Sequence, residues 1–124
     1  MSRGSPAFAR MRRALLDGVR RIPEGRVVEA AQMGEALNIP ARHVAYMLSQ
    51  LAPEEAELVP WHRVIPADGD FGKADRRTAR QIVQVARLSA EGLTLQDGRR
   101  LTLRPDLRWE PDDTHRGTFW AEEP

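Results

Sequence analysis

Residues 58–66 constrain the fold more than any other part of the chain, because two prolines enclose three chemically different side chains. Pro60 and Pro66 each fix φ at about −65° and bias the preceding residue towards extended geometry. Between them lie an indole, an imidazole and a guanidinium, those of Trp61, His62 and Arg63. A rigid, extended segment with such side chains is typical of a pocket wall. The alternative is a strand at the edge of the core, in which Trp61 only packs.

The same segment resembles the Pro-Cys-His-Arg-Val active-site motif of the O6-alkylguanine-DNA alkyltransferases, with Trp61 at the position of the reactive cysteine. That substitution is the mark of the alkyltransferase-like proteins, relatives that bind alkylated DNA and transfer nothing. The resemblance extends from about Phe8 to Pro111. It implies the fold of the alkyltransferases' C-terminal domain, which is mainly α-helical and helix-turn-helix or winged-helix-like, with a small β-hairpin. Residues 1–111 would form this DNA-binding domain, and residues 112–124 an acidic C-terminal tail.

The chain has no cysteine, which excludes a disulfide, a thiolate metal site and a cysteine nucleophile. Its three histidines are scattered and lack the spacing of a zinc site. No serine stands in a G-x-S-x-G setting. We therefore expect a protein that is not an enzyme and that needs no metal and no cofactor.

Charge is segregated along the chain although the formal net charge is only +1. Residues 1–28 carry seven arginines against two acidic residues, whereas acidic residues dominate the C-terminal end. An arginine-rich body favours a nucleic-acid partner, and an ordinary arginine-rich surface is the alternative. The chain shows no signal peptide and no apolar run of membrane-spanning length, so we expect a cytoplasmic protein without a membrane partner.

Apolar periodicity predicts a helix-turn-helix. Ser5 and Pro6 are typical of an N-cap and a first helical residue, and an apolar stripe continues to Ile22. A second helix is predicted over 29–37 and a third from Pro40, joined by a tight connection at 38–39. Two short helices with so brief a turn indicate a helix-turn-helix, and a generic αα-hairpin remains the alternative.

The third predicted helix has small residues that permit close approach of another surface, at Ala41, Ala45 and Ser49. In the alkyltransferases, the segment that residues 41–45 resemble lies against the DNA minor groove. The resemblance implies that Arg42 fills the gap left by an extruded nucleotide. From the residues alone, Arg42 is a phosphate contact or a solvated surface residue. The predicted DNA-contacting set is Ala41, Arg42, His43, Ala45 and Arg63.

The resemblance also implies a lesion pocket with walls from two stretches. The residues predicted to face the lesion are Trp61, His62, Val64 and Pro66 from the motif, and Gly72, Lys73 and Ala74 from a glycine-punctuated turn. At the pocket floor, an indole offers an apolar face to an O6-alkyl group, and burying each methylene stabilises by about 0.8 kcal/mol. With no nucleophile to activate, His62 is expected to hydrogen-bond within the wall. For Ala74, a connector that faces only water is the alternative.

The sequence also predicts the remaining elements of the chain. Residues 52–57 are predicted to form an acidic loop. A fourth helix is predicted to begin at a cap at Asp75 and to end at Gly92. That helix would carry four arginines on its outer side, at positions 76, 77, 80 and 87. Alternating residues around Asp97 and Gly98 predict a β-hairpin that acts as a wing. Trp109 is expected to pack.

One departure from the family lies at Glu29 and Ala30, where relatives commonly have a Ser-Tyr pair whose tyrosine helps to rotate the nucleotide out. Tyr46 and Phe71 are candidate substitutes for that tyrosine.

Together these inferences predict a monomeric, non-catalytic sensor of O6-alkylguanine in double-stranded DNA. The resemblance implies that it flips the damaged base and marks it for nucleotide excision repair. One alternative is a dimeric winged-helix regulator that reads a DNA sequence through the major groove. Another is a protein-interaction module that uses Phe119, Trp120 and the acidic tail.

Overall fold

Helices make up most of the fold, as the apolar periodicity predicts. The structure, a computed structural model, describes residues 5–111, so the predicted acidic tail at 112–124 lies outside the described residues. The elements of this part are α1 (Pro6–Arg20), β1 (Val28–Glu29), α2 (Ala30–Leu37), α3 (Ala41–Ser49), α4 (Pro53–Leu58), β2 (Val64–Ile65) and α5 (Ala79–Ala90). Over residues 5–111, every helix is too short or too polar to traverse a lipid bilayer.

Helix α1 begins as the sequence predicts. The Ser5 hydroxyl accepts a hydrogen bond from the Phe8 N–H at 3.0 Å, and Pro6 occupies the first helical turn. Met11, Leu15 and Val19 form its buried stripe. Helix α1 therefore covers one side of the core with its apolar face and leaves arginines outside.

The predicted helix-turn-helix is confirmed by α2 and α3. Asn38 adopts the left-handed conformation at φ 57°, and the Ile39 N–H donates to the Gly34 carbonyl at 2.8 Å. The turn is so tight that a Cβ added at Gly34 would lie 2.3 Å from the Ile39 carbonyl oxygen. Pro40 is the N-cap of α3, one residue before the predicted position.

The two strands form a small parallel sheet in which Val28 pairs with Val64 and Glu29 with Ile65. The last part of the described chain forms backbone hydrogen bonds beside these strands. The Val27 N–H donates to the Leu107 carbonyl at 2.8 Å, and the Trp109 N–H donates to the Val27 carbonyl at 2.9 Å. This pairing half-buries Trp109 against the core, as predicted.

The core consists of two apolar clusters, and the motif lies between them. Trp61 and Val64 belong to the larger cluster with α1, α2 and α3, whereas Ile65 belongs to a smaller one with Phe71 and Leu88. Successive side chains of a strand point to opposite faces, so β2 serves both clusters. The motif is therefore fixed from both sides.

The acidic loop predicted at 52–57 is wrong, because α4 occupies this stretch. Pro53 stands in its first turn, where the missing N–H costs nothing. Glu55 accepts from the Ala52 N–H at 3.1 Å and from Arg12 at 2.7 Å. Acidic residues at a helix N-terminus are favourable because they complement the helix dipole, and the prediction of a loop did not take this into account.

Helix α5 starts later than predicted. Thr78, not Asp75, is its cap: its hydroxyl accepts from the Gln81 N–H at 3.2 Å, and the Gln81 side chain accepts from the Thr78 N–H at 2.9 Å. The expectation of outward-facing arginines is also wrong for three of the four. Arg77 donates to the carbonyls of residues 72 and 98, and the arginines at 80 and 87 lie over the Trp61 ring.

The wing differs from the predicted hairpin, although a tight turn does form at Asp97 and Gly98, both at positive φ. Gln96 and Arg100 make one isolated antiparallel bridge, and no longer ladder follows it in residues 5–111. The Leu101 N–H pairs instead with the Gly69 carbonyl at 2.8 Å. The turn therefore docks on the loop after the motif, where Arg99 and Arg100 also contact Asp70.

Two buried helical glycines provide a test of the helix-turn-helix. We expect Gly34→Ala to lower the free energy of unfolding by about 1–3 kcal/mol, because its Cβ meets backbone that cannot move away. Gly18→Ala is the matched control, since its Cβ would lie 3.4 Å from the flexible Met33 sulfur and alanine favours the helix. Denaturant unfolding measures both. Equal effects of the two substitutions would contradict the tight turn.

Candidate functional site

The centre of the motif is a turn, so the motif is not the continuous extended segment that the sequence predicts, although Val59 and Ile65, the residues before the two prolines, are extended. Residues Trp61–Arg63 form a 3₁₀ turn in which the Arg63 N–H donates to the Pro60 carbonyl at 3.0 Å. The backbone is extended on both sides of this turn, at Val59 and again from Val64 onwards. The rings of Trp61 and His62 meet edge to face with their centroids 6.4 Å apart, and His62 and Arg63 share one carboxylate partner.

Glu91, the residue after α5, holds two of these side chains. One of its carboxylate oxygens lies 2.6 Å from Nε2 of His62, and Arg63 donates to the same oxygen at 2.8 Å. The Gly25 N–H donates to the other oxygen at 2.8 Å. Side-chain exposure is 9% for His62, 15% for Arg63 and 10% for Glu91, so the cluster is nearly dry.

The charges of this cluster follow from its contacts. Burial alone would raise the pKa of Glu91, but the hydrogen bonds from Arg63, Gly25 and His62 outweigh it and lower that pKa to about 2. Burial is the largest influence on His62 and lowers its pKa, with Glu91 opposing. His62 is therefore neutral at pH 7 and donates from Nε2. Its Nδ1 is buried and has no partner among the described residues.

The geometry does not favour the predicted DNA contact of Arg63. Its Nη1 donates to the Ile22 carbonyl at 2.8 Å, and its Nε and Nη2 donate to Glu91. A phosphate contact would require this buried pair to break. His62 does hydrogen-bond within the wall, which agrees with its expected structural use.

Trp61 differs from the open aromatic face that the sequence predicts. The side chain is only 5% exposed, and its Nε1 is buried without a partner among the described residues. The guanidinium of Arg80 lies 4.4 Å from the ring centroid, and that of Arg87 lies 5.4 Å away. The indole is therefore covered by cations, which a ring face attracts.

A cavity of about 150 Å³ lies between α3, β2 and α5, and neither Trp61 nor His62, which were predicted to face the lesion, belongs to its lining. Three of its residues belong to the predicted site, Ala45 from α3 and Val64 and Pro66 from the motif. Its apolar side consists of Ala30, Ala45, Leu48, Val64, Ile65 and Pro66. Ala45 is exposed, so the cavity meets the surface at the outer face of α3.

The polar side of the cavity comes from Arg80, Gln81 and Gln84 of α5. The sequence did not predict these residues as part of the site. Gln84 is buried, and its side-chain amide donates to the carbonyls of Val64 at 2.9 Å and His62 at 3.3 Å. Gln84 stands four residues before Leu88, on the same face of the helix, and this spacing could have predicted that Gln84 is buried. The position of Glu91 could also have drawn attention, because the helix dipole disfavours an acidic residue at the C-terminal end of a helix.

The predicted far wall does not reach this cavity. Gly72, Lys73 and Ala74 are absent from its lining, and Lys73 and Ala74 are exposed. The turn at 67–74 instead returns towards the wing through Asp70, whose pKa is held well below its usual range by Arg99 and the Gly72 N–H.

The outer face of α3 has the composition expected of a contact surface. Ala41, Arg42, Ala45 and Ser49 are exposed, and His43 is half-buried. Arg42 stands one helical turn before Ala45, so its guanidinium starts from the face that borders the cavity. Arg42 makes no ion pair with a residue of the described part of the chain.

Of the two candidate substitutes for the family tyrosine, the structure leaves one. Phe71 is buried in the smaller apolar cluster and cannot reach a ligand without unfolding. Tyr46 is 42% exposed on α3, close to Ala45 in sequence. Ala30 itself lines the cavity.

Metal binding has no geometric support in residues 5–111, where no group of three His, Asp or Glu side chains is arranged to hold an ion.

The Glu91 cluster has a testable pH signature. Below about pH 6.5 the unfolded chain protonates His62 more readily than the folded one, and below about pH 4.5 the same holds for Glu91. We therefore expect the free energy of unfolding to fall as the pH decreases from 6.5 towards 2. Glu91→Gln should lose about 2 kcal/mol or more at pH 7 and show a weaker decline below pH 4.5.

Glu57→Gln is the control for that series, because the Glu57 carboxylate is exposed and its pair with Arg87, at 3.3 Å, is a surface contact. Chemical denaturation at several pH values measures all three proteins. Parallel pH profiles of the wild type and Glu91→Gln would contradict the assignment.

Comparison with known proteins places this architecture in a family. Residues 10–93 match the family model described as "6-O-methylguanine DNA methyltransferase, DNA binding domain". The alkyltransferase-like protein 1 of Schizosaccharomyces pombe is 33% identical over 100 residues, which cover 77% of this chain and 90% of the relative. A bifunctional methyltransferase/endonuclease of Thermoplasma volcanium is 34% identical over 82 residues, and this chain spans only 25% of its length.

Two solved structures have the same fold. One is the S. pombe protein Atl1 in complex with damaged DNA containing O6-carboxymethylguanine, and the other is the S. pombe protein in complex with DNA. Each matches with a TM-score of 0.66 and 30% sequence identity, over 83% of this chain and 97% of the other. The chain therefore belongs to the family of the 6-O-methylguanine-DNA methyltransferase DNA-binding domain, as a relative of the alkyltransferase-like proteins.

Proposed function

We propose that this protein binds double-stranded DNA and recognises O6-alkylguanine without removing the alkyl group. The observation that carries the proposal is the cavity that meets the surface at α3 and is bounded by the motif in which Trp61 replaces the family cysteine. The S. pombe relative is seen with damaged DNA containing O6-carboxymethylguanine, which supports the same ligand class here.

The binding surface in this proposal is the outer face of α3. Small residues at 41, 45 and 49 let the helix backbone approach a groove closely. Arg42 extends from the first turn of that face and is free to stack on the base pair that loses its partner. Arginines elsewhere on the surface contribute phosphate contacts, which supply affinity but no discrimination between bases.

Discrimination arises from two free-energy differences. Extruding a base costs a few kcal/mol, and the cost is least for a poorly paired base such as an alkylated guanine. The alkyl group then leaves water for the apolar side of the cavity, with a gain of about 0.8 kcal/mol for each methylene. An unmodified guanine costs more to extrude and gains less in the cavity.

The residues of the alkyl-transfer motif have other uses here. No thiol exists to accept an alkyl group. His62, which would activate such a thiol, donates to Glu91 and is 9% exposed. We propose that the protein acts as a monomeric sensor and that the marked lesion passes to nucleotide excision repair, which the family resemblance supports.

The proposal is tested by gel-shift titration of matched duplexes with guanine or O6-methylguanine at one position. We expect tighter binding to the O6-methylguanine duplex, and an unchanged content of O6-methylguanine in the DNA recovered after incubation. Equal affinities would reject lesion recognition. Loss of the methyl group from the recovered DNA would reject the non-catalytic role.

Arg42→Ala is expected to weaken binding to the lesion duplex more than Arg20→Ala does, although both remove one exposed arginine. Arg20 lies on α1 beside Asp17, at 3.5 Å, and serves as the matched control. Identical losses would indicate that Arg42 acts only through net charge.

A further inference from the structure

Arg80 occupies an unusual position for a cation. Its guanidinium lies 4.4 Å from the Trp61 ring centroid, and the side chain is half-buried in the lining of the cavity. Within residues 5–111 it makes no ion pair and no hydrogen bond. Burial lowers the pKa of Arg80, as expected for a cation removed from water without a carboxylate beside it. Arginine nevertheless stays protonated at neutral pH.

The rest of the cavity does not neutralise this charge. Its other lining residues are apolar or carry amides, and none is an aspartate or a glutamate. The Gln84 amide nitrogen is already engaged by two backbone carbonyls. A ligand that enters the cavity therefore meets one positive charge with unused donors and no negative charge.

Arg87 contacts the same indole but differs in this respect. It lies 5.4 Å from the ring centroid, donates to the Ala56 carbonyl at 2.9 Å and pairs with Glu57 at 3.3 Å. It is also absent from the cavity lining. Arg80 is therefore available to a ligand, whereas the hydrogen bonds and the ion pair of Arg87 are already made within the protein.

We propose that Arg80 is a specificity-determining residue that makes the cavity prefer O6-alkyl groups ending in a carboxylate over neutral groups of the same size. The inference rests on the proposed binding of O6-alkylguanine. A guanidinium binds a carboxylate through two parallel hydrogen bonds, whereas an amide of the same shape offers one acceptor and no charge. The guanidinium stays close to the Trp61 indole, 4.4 Å from the ring centroid, while its donors remain unused.

The test compares three duplexes of one sequence, with guanine, O6-carboxymethylguanine or the neutral isostere O6-carbamoylmethylguanine at one position. Dissociation constants are measured by fluorescence anisotropy for the wild type and for Arg80→Gln, Arg80→Lys and Arg87→Gln. The quantity compared is the ratio of the carbamoylmethyl to the carboxymethyl constant. Repulsion between the carboxylate and the DNA phosphates is common to all four proteins, so it cancels between variants.

We expect this ratio to fall about tenfold in Arg80→Gln, the scale of one charged hydrogen-bonded contact. The ratio should stay within about twofold of wild type in Arg87→Gln, because that arginine does not line the cavity. In Arg80→Lys the ratio should lie between those of the wild type and Arg80→Gln, because the charge remains. Circular dichroism checks that each variant is folded. A ratio unchanged in Arg80→Gln, or lowered equally in Arg87→Gln, would overturn the assignment.

The two proposals fail differently. If both modified duplexes bind better than the guanine duplex but the ratio is the same in the wild type and in Arg80→Gln, the charge preference is wrong and lesion recognition stands. If all three duplexes bind equally, lesion recognition is itself wrong.

Discussion

The arrangement of the site depends on one partly buried carboxylate. Glu91 follows α5 and joins three separate parts of the chain, since it accepts hydrogen bonds from Gly25, His62 and Arg63. Losing one partner of such a pair leaves an uncompensated charge in a nearly dry place, which costs far more than an exposed ion pair contributes. The 3₁₀ turn at Trp61–Arg63 is therefore held firmly, and with it the directions of Trp61 and Val64.

This constraint explains how a motif associated with alkyl transfer becomes a rigid support. The imidazole and the guanidinium of the motif point towards Glu91, and the indole points towards the core and α5. What faces the cavity is then mostly apolar, together with a single cation from α5. In the proposed function this cavity holds the modified base reversibly, because its lining combines apolar surface and positive charge without a nucleophile.

Local patterns predicted the first half of the fold well. The cap at Ser5, the stripe of α1 and the tight α2–α3 turn are encoded by neighbouring residues, so periodicity and capping rules find them. The later elements depend on distant partners. The turn at Asp97 and Gly98 docks on Gly69 and does not extend as a hairpin, and the motif turns because its backbone closes on Pro60 while Glu91 anchors its side chains. No local pattern reveals contacts of that separation. The family resemblance predicted Val64 and Pro66 in the lesion pocket and Ala45 among the DNA contacts, whereas Arg80 and Gln84, which come from a distant helix, were not predicted at either place.

The central claim is that an O6-alkylated base enters the cavity between α3, β2 and α5, and the Trp61 indole reports on that event through Arg80, which lines the cavity and lies 4.4 Å from the ring centroid. Its Nε1–H resonance can be assigned by comparison with Trp61→Phe, since the chain has only three tryptophans. The measurement is the change of this resonance when DNA is added to saturation. We expect a clear shift with a duplex that contains O6-methylguanine and a much smaller one with the unmodified duplex at equal occupancy. A Trp61 resonance that stays in place while the lesion duplex is fully bound would contradict the claim.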